Sequence, residues 1–299
     1  MRVTVIGAGT MGAGIAHVCA AAGHDVSVRD VDPNIVMDAI DTITNRLDAG
    51  VDRGYLTESE KEQAIDDLDG TTDLDSALQD AELVIEAVPE DLDLKRELFA
   101  DAEAVVDQET VLATNTSSMS VTSIAAALKH PERAVGLHFF NPPHKMDLVE
   151  VVLAEQTNGA TADLAEEFVD GLRKEPVVVT DTPGFASSRL GVALGVEAMR
   201  MVENGVASVA DIDAAMELGY NHPVGPLELT DRVGLDVRLD ICEYLYEELG
   251  DRFEPPEILR EKVENGDTGK KVGRGFYVWE GGEPKDVADD EDYDIEDVI

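Results

Sequence analysis

A glycine-rich segment near the start of the chain constrains its fold more than any other feature. The β-branched run VTVI at residues 3–6 leads into the turn GAGTMG at residues 7–12, and the small residues that follow predict a helix over residues 15–22. A strand that enters such a turn and leaves it as a helix is typical of the dinucleotide-binding unit of α/β proteins. A glycine-rich turn of some other α/β fold is the alternative interpretation.

Each glycine of this turn has a separate role in a dinucleotide site. Gly7 allows the chain to turn sharply, Gly9 allows the backbone to approach a pyrophosphate, and Gly12 allows the helix to pack close to the strand. The free N–H groups at the start of the helix, around Thr10 and Met11, offer the positive end of the helix dipole to the phosphates. We therefore expect the turn to bind a pyrophosphate.

An acidic residue indicates which nucleotide is bound. A second predicted strand, residues 25–28, is followed by Asp30, which lies 18 residues beyond Gly12. A carboxylate at this place accepts a hydrogen bond from a ribose 2′-hydroxyl and repels a 2′-phosphate. The sequence therefore favours NAD, and Arg29 beside Asp30 keeps NADP as the alternative.

Strands and helices alternate over residues 1–182, the predicted NAD-binding domain. This alternation predicts an α/β, Rossmann-like, doubly wound and mostly parallel sheet. A helical hairpin is expected at about residues 33–69, and a capping box at Thr57 begins its second helix. The connection between the predicted strands 133–140 and 148–153 is about seven residues long. It is too short for a parallel crossover, so this pair is expected to be antiparallel.

A composition break at residues 180–184 separates this domain from a region with helical patterns. Residues 183–282 are predicted to form an all-α substrate and dimerisation domain. Its long helices are expected at residues 189–203, 209–218 and 231–249. Residues 283–299 are predicted to form an acidic, disordered tail.

The charge of the chain is extreme, with 64 acidic residues against 23 lysines and arginines and a formal net charge of -41. Self-repulsion at this charge destabilises a compact state at low salt, whereas at about 1 M salt the Debye length is only about 3 Å. Adaptation to a salty cytoplasm, a halophilic property, is therefore favoured over an ordinary acidic protein. No basic patch stands out in the sequence, so nucleic acid is not expected as a partner.

Three further features bear on the cellular location. The chain has two cysteines, Cys19 and Cys242, which excludes a disulfide scaffold. The first predicted strand begins at Arg2 and leaves no room for a signal peptide, and no run of 18 apolar residues predicts a membrane span. The spacing of histidines and cysteines does not suggest a metal site. We therefore expect a cytoplasmic protein without a metal or a membrane partner.

A histidine and a glutamate interrupt two apolar strands. His138 lies in the run 135–140, ahead of a prolyl turn, and Glu150 lies among leucine and valine residues of the next strand. A buried glutamate is costly unless it is paired. A His138–Glu150 pair would fix the tautomer of the imidazole and leave its other nitrogen as a general base. A core histidine with satisfied hydrogen bonds is the alternative.

A serine lies at the end of another predicted strand, residues 110–114. Ser117 follows Asn115 and Thr116, at the edge of the sheet where ligands bind in open α/β folds. Its hydroxyl can donate a hydrogen bond to a substrate oxygen. Capping of the following helix is the alternative role, which Ser120 can also perform.

Seven motifs in the same order resemble the 3-hydroxyacyl-CoA dehydrogenase family, especially its short-chain 3-hydroxybutyryl-CoA members. They extend over about residues 1–280 at family-like spacings. The motifs lie at residues 7–14, 113–118, 136–142, 148–151, 181–185, 219–229 and 269–277. The resemblance implies that an L-3-hydroxyacyl-CoA and the 3-ketoacyl-CoA are interconverted with NAD by hydride transfer, as in the β-oxidation of fatty acids.

The resemblance also implies roles for individual residues. His138 matches the family's catalytic base, Glu150 the acid that orients this base, and Ser117 the serine that holds the reacting oxygen. Asp30 matches the acid that binds the adenosine ribose. Positions near the nicotinamide end of the cofactor are matched by Glu90, Lys95 and Asn115.

One position departs from the family pattern. The family usually has an asparagine immediately before the arginine that follows the motif 181–185, and this asparagine helps to hold the substrate oxygen. Here Ser188 precedes Arg189, and we assign substrate contacts to Ser188, Ser117 and Asn141. Loss of a positioned donor can cost about 3 kcal/mol at the transition state. The same fold acting on a non-CoA hydroxy acid, and a non-catalytic NAD(H)-binding dimer, remain alternative functions.

The resemblance finally implies that the hairpin contacts CoA and that the C-terminal helices form a homodimer. CoA is polyanionic, whereas the hairpin keeps only three cations among many acids. These are Arg46, Arg53 and Lys61. We therefore expect repulsion at low salt and tighter acyl-CoA binding in molar KCl.

Overall fold

A computed structural model describes residues 1–288 and divides the chain into two compact units, Met1–Thr182 and a second unit that begins at Pro183. The first unit contains an eight-stranded sheet with the order β3-β2-β1-β4-β5-β6-β7-β8. Its strands are β1 (Arg2–Ile6), β2 (Asp25–Arg29), β3 (Leu68–Thr71), β4 (Leu83–Glu86), β5 (Val111–Thr114), β6 (Ala134–Phe139), β7 (Leu148–Leu153) and β8 (Glu175–Thr180).

Neighbouring strands of this sheet are parallel except β6 and β7, which are antiparallel as the short connection predicts. All residues of β4, β5 and β6 are buried, as expected for central strands with both faces covered. The predicted Rossmann-like, mostly parallel sheet is therefore confirmed. Its register places His138 directly opposite Glu150.

Seven α-helices belong to the described part of the first unit. They are α1 (Thr10–Ala21), α2 (Pro33–Asp52), α3 (Glu58–Asp66), α4 (Leu74–Leu78), α5 (Leu92–Val105), α6 (Val121–Ala125) and α7 (Gly159–Gly171). α2 and α3 form the expected helical hairpin, and Thr57 and Glu60 form the expected capping box. The hairpin is predicted at about residues 33–69, and α3 ends at Asp66. Leu68 begins strand β3, an exposed edge strand that pairs with β2 and lacks the apolar alternation that predicts strands.

The second unit is helical, as predicted, and also carries a β-hairpin. Its elements are α8 (Ser187–Glu203), α9 (Val209–Tyr220), α10 (Pro226–Val233), α11 (Leu235–Leu249), α12 (Glu257–Asn265), β9 (Tyr277–Glu280) and β10 (Glu283–Val287). The single helix predicted for residues 231–249 is wrong. Gly234, with a φ of 108°, divides it into α10 and α11.

The predicted disordered tail also requires correction. Residues 283–287 form β10, which pairs with β9, so this part of the prediction is wrong. Residues 289–299 of the predicted tail lie outside the described residues. No helix within residues 1–288 is long and apolar enough to cross a bilayer.

Candidate active site

The glycine-rich turn between β1 and α1 has the shape that a pyrophosphate requires. Gly7 has a φ of +97°, and a Cβ on Gly12 would lie 1.7 Å from the carbonyl oxygen of Gly7, so the helix packs directly on the turn. A Cβ on Gly9 would meet no heavy atom within 4 Å, which leaves open space above the backbone at this point. Helix α1 begins at Thr10 without a side-chain cap and without an acidic residue in its first turn. The turn therefore fits the phosphates of a dinucleotide.

Asp30 follows β2 and accepts a hydrogen bond from this turn. Its Oδ2 accepts a hydrogen bond of 2.8 Å from the backbone N–H of Ala8, and its Oδ1 accepts one of 3.3 Å from Asp32. A carboxylate has about four acceptor positions, so these bonds leave acceptor capacity for a ribose hydroxyl. The place of Asp30 is compatible with the predicted role.

His138 and Glu150 lie next to each other on β6 and β7. Nδ1 of His138 is 2.8 Å from Oε2 of Glu150, and the two side chains are only 7% and 1% exposed. The ring of Phe140 packs against the imidazole at a centroid distance of 4.5 Å. The pairing explains how a glutamate can be buried among valines, because its charge has a hydrogen-bonded partner.

A second buried carboxylate, which the sequence analysis missed, lies at the end of β4. Glu86 is 1% exposed, and its Oε1 accepts hydrogen bonds of 2.7 Å from Nζ of Lys95 and from the backbone N–H of Val88. Its Oε2 accepts another of 2.7 Å from Oγ1 of Thr114. Lys95, which begins the second turn of α5, is also 1% exposed. A glutamate inside the apolar run 83–88 was the available signal, and it is the same signal that Glu150 gives.

Glu90 connects Lys95 to the loop that carries Ser117. Oε2 of Glu90 is 3.3 Å from Nζ of Lys95. Oε1 accepts hydrogen bonds from the backbone N–H and the hydroxyl of Ser117, at 2.7 and 3.1 Å, while the hydroxyl of Thr116 donates to both oxygens. Three predicted site residues, Glu90, Lys95 and Ser117, therefore belong to one hydrogen-bonded group.

Asn115 joins this loop to the strand of the histidine. Its Oδ1 accepts a hydrogen bond of 2.9 Å from the backbone N–H of Phe139, the residue after His138. Asn141 is exposed at the start of the prolyl turn that follows β6, and its bond to Pro142 is cis. Ser188 is half-buried in the first turn of α8, in the second unit.

A cavity of about 660 Å³ lies in the first unit among α1, α2, the loop 141–147 and the turn between α7 and β8. Five of the chain's 23 lysines and arginines line this cationic cavity. They are Arg46, Arg53, Lys145, Arg173 and Lys174. Asp147 is the only acid among the lining residues in the described part of the chain, and His17 and His144 also face the cavity. The sequence alone does not reveal this group, because its members come from four elements far apart in the chain.

Hydrogen bonds and close packing fix the walls of the cationic cavity. Nζ of Lys174 donates hydrogen bonds to the carbonyl oxygens of Pro143 and Met146, at 2.6 and 2.7 Å. A Cβ on Gly14 would lie 2.8 Å from Pro143, so α1 packs closely on the same loop. Two polar atoms of the wall, Nδ1 of His17 and Nη1 of Arg46, are buried without a hydrogen-bond partner within residues 1–288. Nη1 of Arg46 is always a donor, whereas Nδ1 of His17 donates only when it carries a proton.

The sequence matches known families over both units. Residues 2–182 match the NAD-binding domain of 3-hydroxyacyl-CoA dehydrogenase, and residues 184–279 match the C-terminal domain of the same enzyme. These two matches include all the predicted site residues.

Individual proteins are similar over most of the chain. A 3-hydroxybutyryl-CoA dehydrogenase of Mycobacterium tuberculosis is 44% identical over 281 residues, which are 93% of this chain and 98% of the relative. A 3-hydroxyadipyl-CoA dehydrogenase of Escherichia coli is 44% identical over 93% of this chain and 58% of its own length. The crystal structure of (S)-3-hydroxybutyryl-CoA dehydrogenase from Ralstonia eutropha has a TM-score of 0.89 at 38% identity, covering 93% of this chain and 99% of that one.

The two domain matches, the glycine-rich turn, the sheet and the similar proteins all point to the same family. This chain belongs to the 3-hydroxyacyl-CoA dehydrogenase family, and residues 2–182 form its NAD-binding domain.

Proposed function

We propose that this NAD-dependent dehydrogenase interconverts short-chain L-3-hydroxyacyl-CoA and 3-ketoacyl-CoA, with His138 as the general base. The observation that carries the proposal is the buried 2.8 Å contact between His138 and Glu150. The similarity to 3-hydroxybutyryl-CoA dehydrogenases supports the substrate class.

The pairing defines what each nitrogen of His138 can do. An ionised carboxylate only accepts hydrogen bonds, so Glu150 selects the tautomer in which Nδ1 carries the proton. The lone pair of Nε2 then takes the proton of the C3 hydroxyl during oxidation, and Glu150 stabilises the imidazolium that forms. In the reverse direction His138 returns this proton to the keto oxygen. NAD, when bound, supplies the hydride acceptor for C3.

Other residues position the reacting groups. We assign Ser117 to the reacting oxygen, which requires its hydroxyl to exchange the bond to Glu90 for one to the substrate. Glu90, Lys95 and Asn115 are assigned to the nicotinamide end of the cofactor. The remaining assignments follow the sequence analysis: the turn at residues 7–12 and Asp30 bind the rest of NAD, and Ser188 and Asn141 contact the substrate.

The cationic cavity is our candidate for the phosphates of CoA. Five cationic side chains in one cavity are unusual in a chain with a net charge of -41, and they offer the charge-assisted hydrogen bonds that phosphates accept. Tyr55 lines the same cavity and is 75% exposed, so its ring is available for stacking on adenine. Lys61 does not line the cavity and instead pairs with Asp48 at 3.1 Å and with Glu58.

The first test compares NADH oxidation by acetoacetyl-CoA and by free acetoacetate in about 2 M KCl. We expect turnover of the CoA ester only, and we expect His138→Gln to remove most of it while NADH still binds. His130→Gln is the matched control, since the side chain of His130 is 52% exposed and pairs with Glu132 at the surface. Faster turnover of the free acid would favour a non-CoA substrate. Tight NADH binding without any turnover would favour the non-catalytic dimer.

We further propose that the second unit forms a homodimer and that the protein is adapted to high salt. Leu190, Val233 and Val237 of the second unit are 71%, 40% and 40% exposed, which is apolar surface that a second copy can cover. Light scattering after gel filtration should give about twice the mass of the chain, and a monomer would contradict this. The melting temperature should rise between about 0.1 and 2 M KCl because salt screens the self-repulsion.

A further inference from the structure

Two histidines face each other in the wall of the cationic cavity. His17 comes from the middle of α1, and His144 from the loop that follows the prolyl turn. Their ring centroids are 5.9 Å apart in an edge-to-face arrangement. The proposed hydride-transfer reaction uses neither residue, so their place beside five cations requires another explanation.

The groups that face this pair come from every wall of the cavity. Helix α2 contributes Arg46, and its C-cap residue is Arg53. The loop 141–147 contributes Lys145 and Asp147, and the turn before β8 contributes Arg173 and Lys174. Six charged side chains thus surround the two rings, and five of them are positive.

These surroundings favour the neutral form of both rings in the protein alone. Burial lowers the pKa of His17 to about 4, and the positive charges of Arg46, of His144 when it is protonated, and of Lys174 add to this effect. Partial desolvation by the cavity wall, followed by the positive charge of Arg46, likewise lowers the pKa of His144. Both imidazoles are therefore neutral near pH 7, and Nδ1 of His17 has no partner within the described residues.

A bound phosphate changes this balance. Its negative oxygens offset the neighbouring cations, and an imidazolium donates to them through both ring nitrogens. The charged form of the pair therefore becomes more favourable when phosphate occupies the cavity. A group that is more easily protonated in the bound state takes up a proton on binding.

We propose that His17 and His144 are proton-linked phosphate ligands, so that the cationic cavity takes up a proton together with the phosphates of CoA. This inference rests on the proposed function, because it assumes that CoA is the phosphorylated ligand. The affinity for CoA increases as the pH falls from neutral, by up to tenfold per pH unit for each proton taken up. The increase ends below about pH 4, where His17 is already protonated without ligand.

The test counts protons during CoA binding. Titration calorimetry at pH 6 with CoA, in two buffers of different ionisation enthalpy, gives the number of protons exchanged. The 3′-phosphate of free CoA also titrates, with a pKa of about 6, and this contribution of the free ligand is the same for every variant. We expect the wild type to take up about one proton more per CoA than His17→Gln/His144→Gln, and to bind CoA about tenfold more tightly. His130→Gln should behave as the wild type.

The outcomes separate the inference from the proposed function. Equal proton numbers and equal affinities in the wild type and the double variant would overturn the inference but leave the CoA site intact. If CoA does not bind the wild type and acetoacetyl-CoA is not reduced, the proposed function itself fails. Should the double variant not fold, His144→Gln alone serves the purpose, because His144 is exposed on a loop and should still show a reduced proton uptake.

Discussion

Replacing Glu150 by glutamine removes a charge from the candidate active site and leaves the shape of the side chain. The carbonyl oxygen of glutamine can still accept the hydrogen bond from Nδ1 of His138, so the orientation of the ring is retained. What is lost is the attraction between the carboxylate and the imidazolium that forms when His138 takes up a proton. Glu150→Gln therefore isolates the electrostatic part of the pairing.

The size of this effect follows from the geometry. The contacting atoms are 2.8 Å apart and both side chains are buried. With charge centres about 4 Å apart and an effective dielectric constant of about 20, the attraction is about 4 kcal/mol. If half or all of the positive charge has developed at the transition state, the loss is about 2 to 4 kcal/mol. This corresponds to a decrease in kcat of about 30- to 1,000-fold.

Single-turnover reduction of NAD by a short-chain L-3-hydroxyacyl-CoA measures the chemical step in the direction in which His138 takes up the proton. Product release can hide this step in steady-state rates. NADH binding should be unchanged in Glu150→Gln, which serves as the control for folding. Because the two residues act as a unit, His138→Gln/Glu150→Gln should be no slower than His138→Gln alone. A decrease of less than about threefold in Glu150→Gln, or independent effects that multiply in the double variant, would refute the reasoning.

Three further predictions follow from the site. Glu86→Gln should lower the free energy of unfolding by about 3 kcal/mol in urea titrations, because it leaves the charge of Lys95 buried with one carboxylate, Glu90 at 3.3 Å, and the carbonyl oxygen of Val88 at 3.2 Å. Glu86→Leu/Lys95→Met should recover most of this loss, and equal stabilities of the single and double variants would contradict the prediction. Ser188→Asn should raise kcat/KM for acetoacetyl-CoA about tenfold if it restores a donor to the substrate oxygen, and a decrease would contradict the assignment. The KM for acetoacetyl-CoA should fall between about 0.1 and 2 M KCl, and a monotonic rise would contradict our account of the charges.

The sequence predicts those parts of the molecule in which the signal is local. The glycine-rich turn, the capping box at Thr57 and the antiparallel strand pair each depend on residues close together in the chain, and the structure contains all three. The contact of His138 with Glu150 belongs to the same class, since one short connection brings their strands together. Their catalytic role stays a prediction.

The parts that the sequence did not predict depend on contacts between distant segments or on weak local patterns. Glu86, like Glu150, is a glutamate within an apolar run of residues. Its partner Lys95 lies across a strand-to-helix turn, and the sequence assigns Lys95 only to the cofactor site. Strand β3 is short, polar and at the edge of the sheet, so its sequence lacks the alternation of apolar and polar residues that predicts a strand. Gly234 lies inside an otherwise continuous helical pattern, and its positive φ became evident only in the structure.

The cationic cavity also changes the reason for the expected effect of salt on CoA binding. Counting charges along the hairpin suggested a repulsive CoA site, whereas Arg46 and Arg53 of the hairpin region meet Lys145, Arg173 and Lys174 from other elements. Repulsion then comes from acidic residues elsewhere on the chain, and salt screens it because it acts over more than a Debye length. Contacts inside a partly buried cavity are screened much less. High salt therefore removes the long-range repulsion and keeps the short-range attraction, so one ionic strength can favour both folding and the binding of a polyanionic substrate.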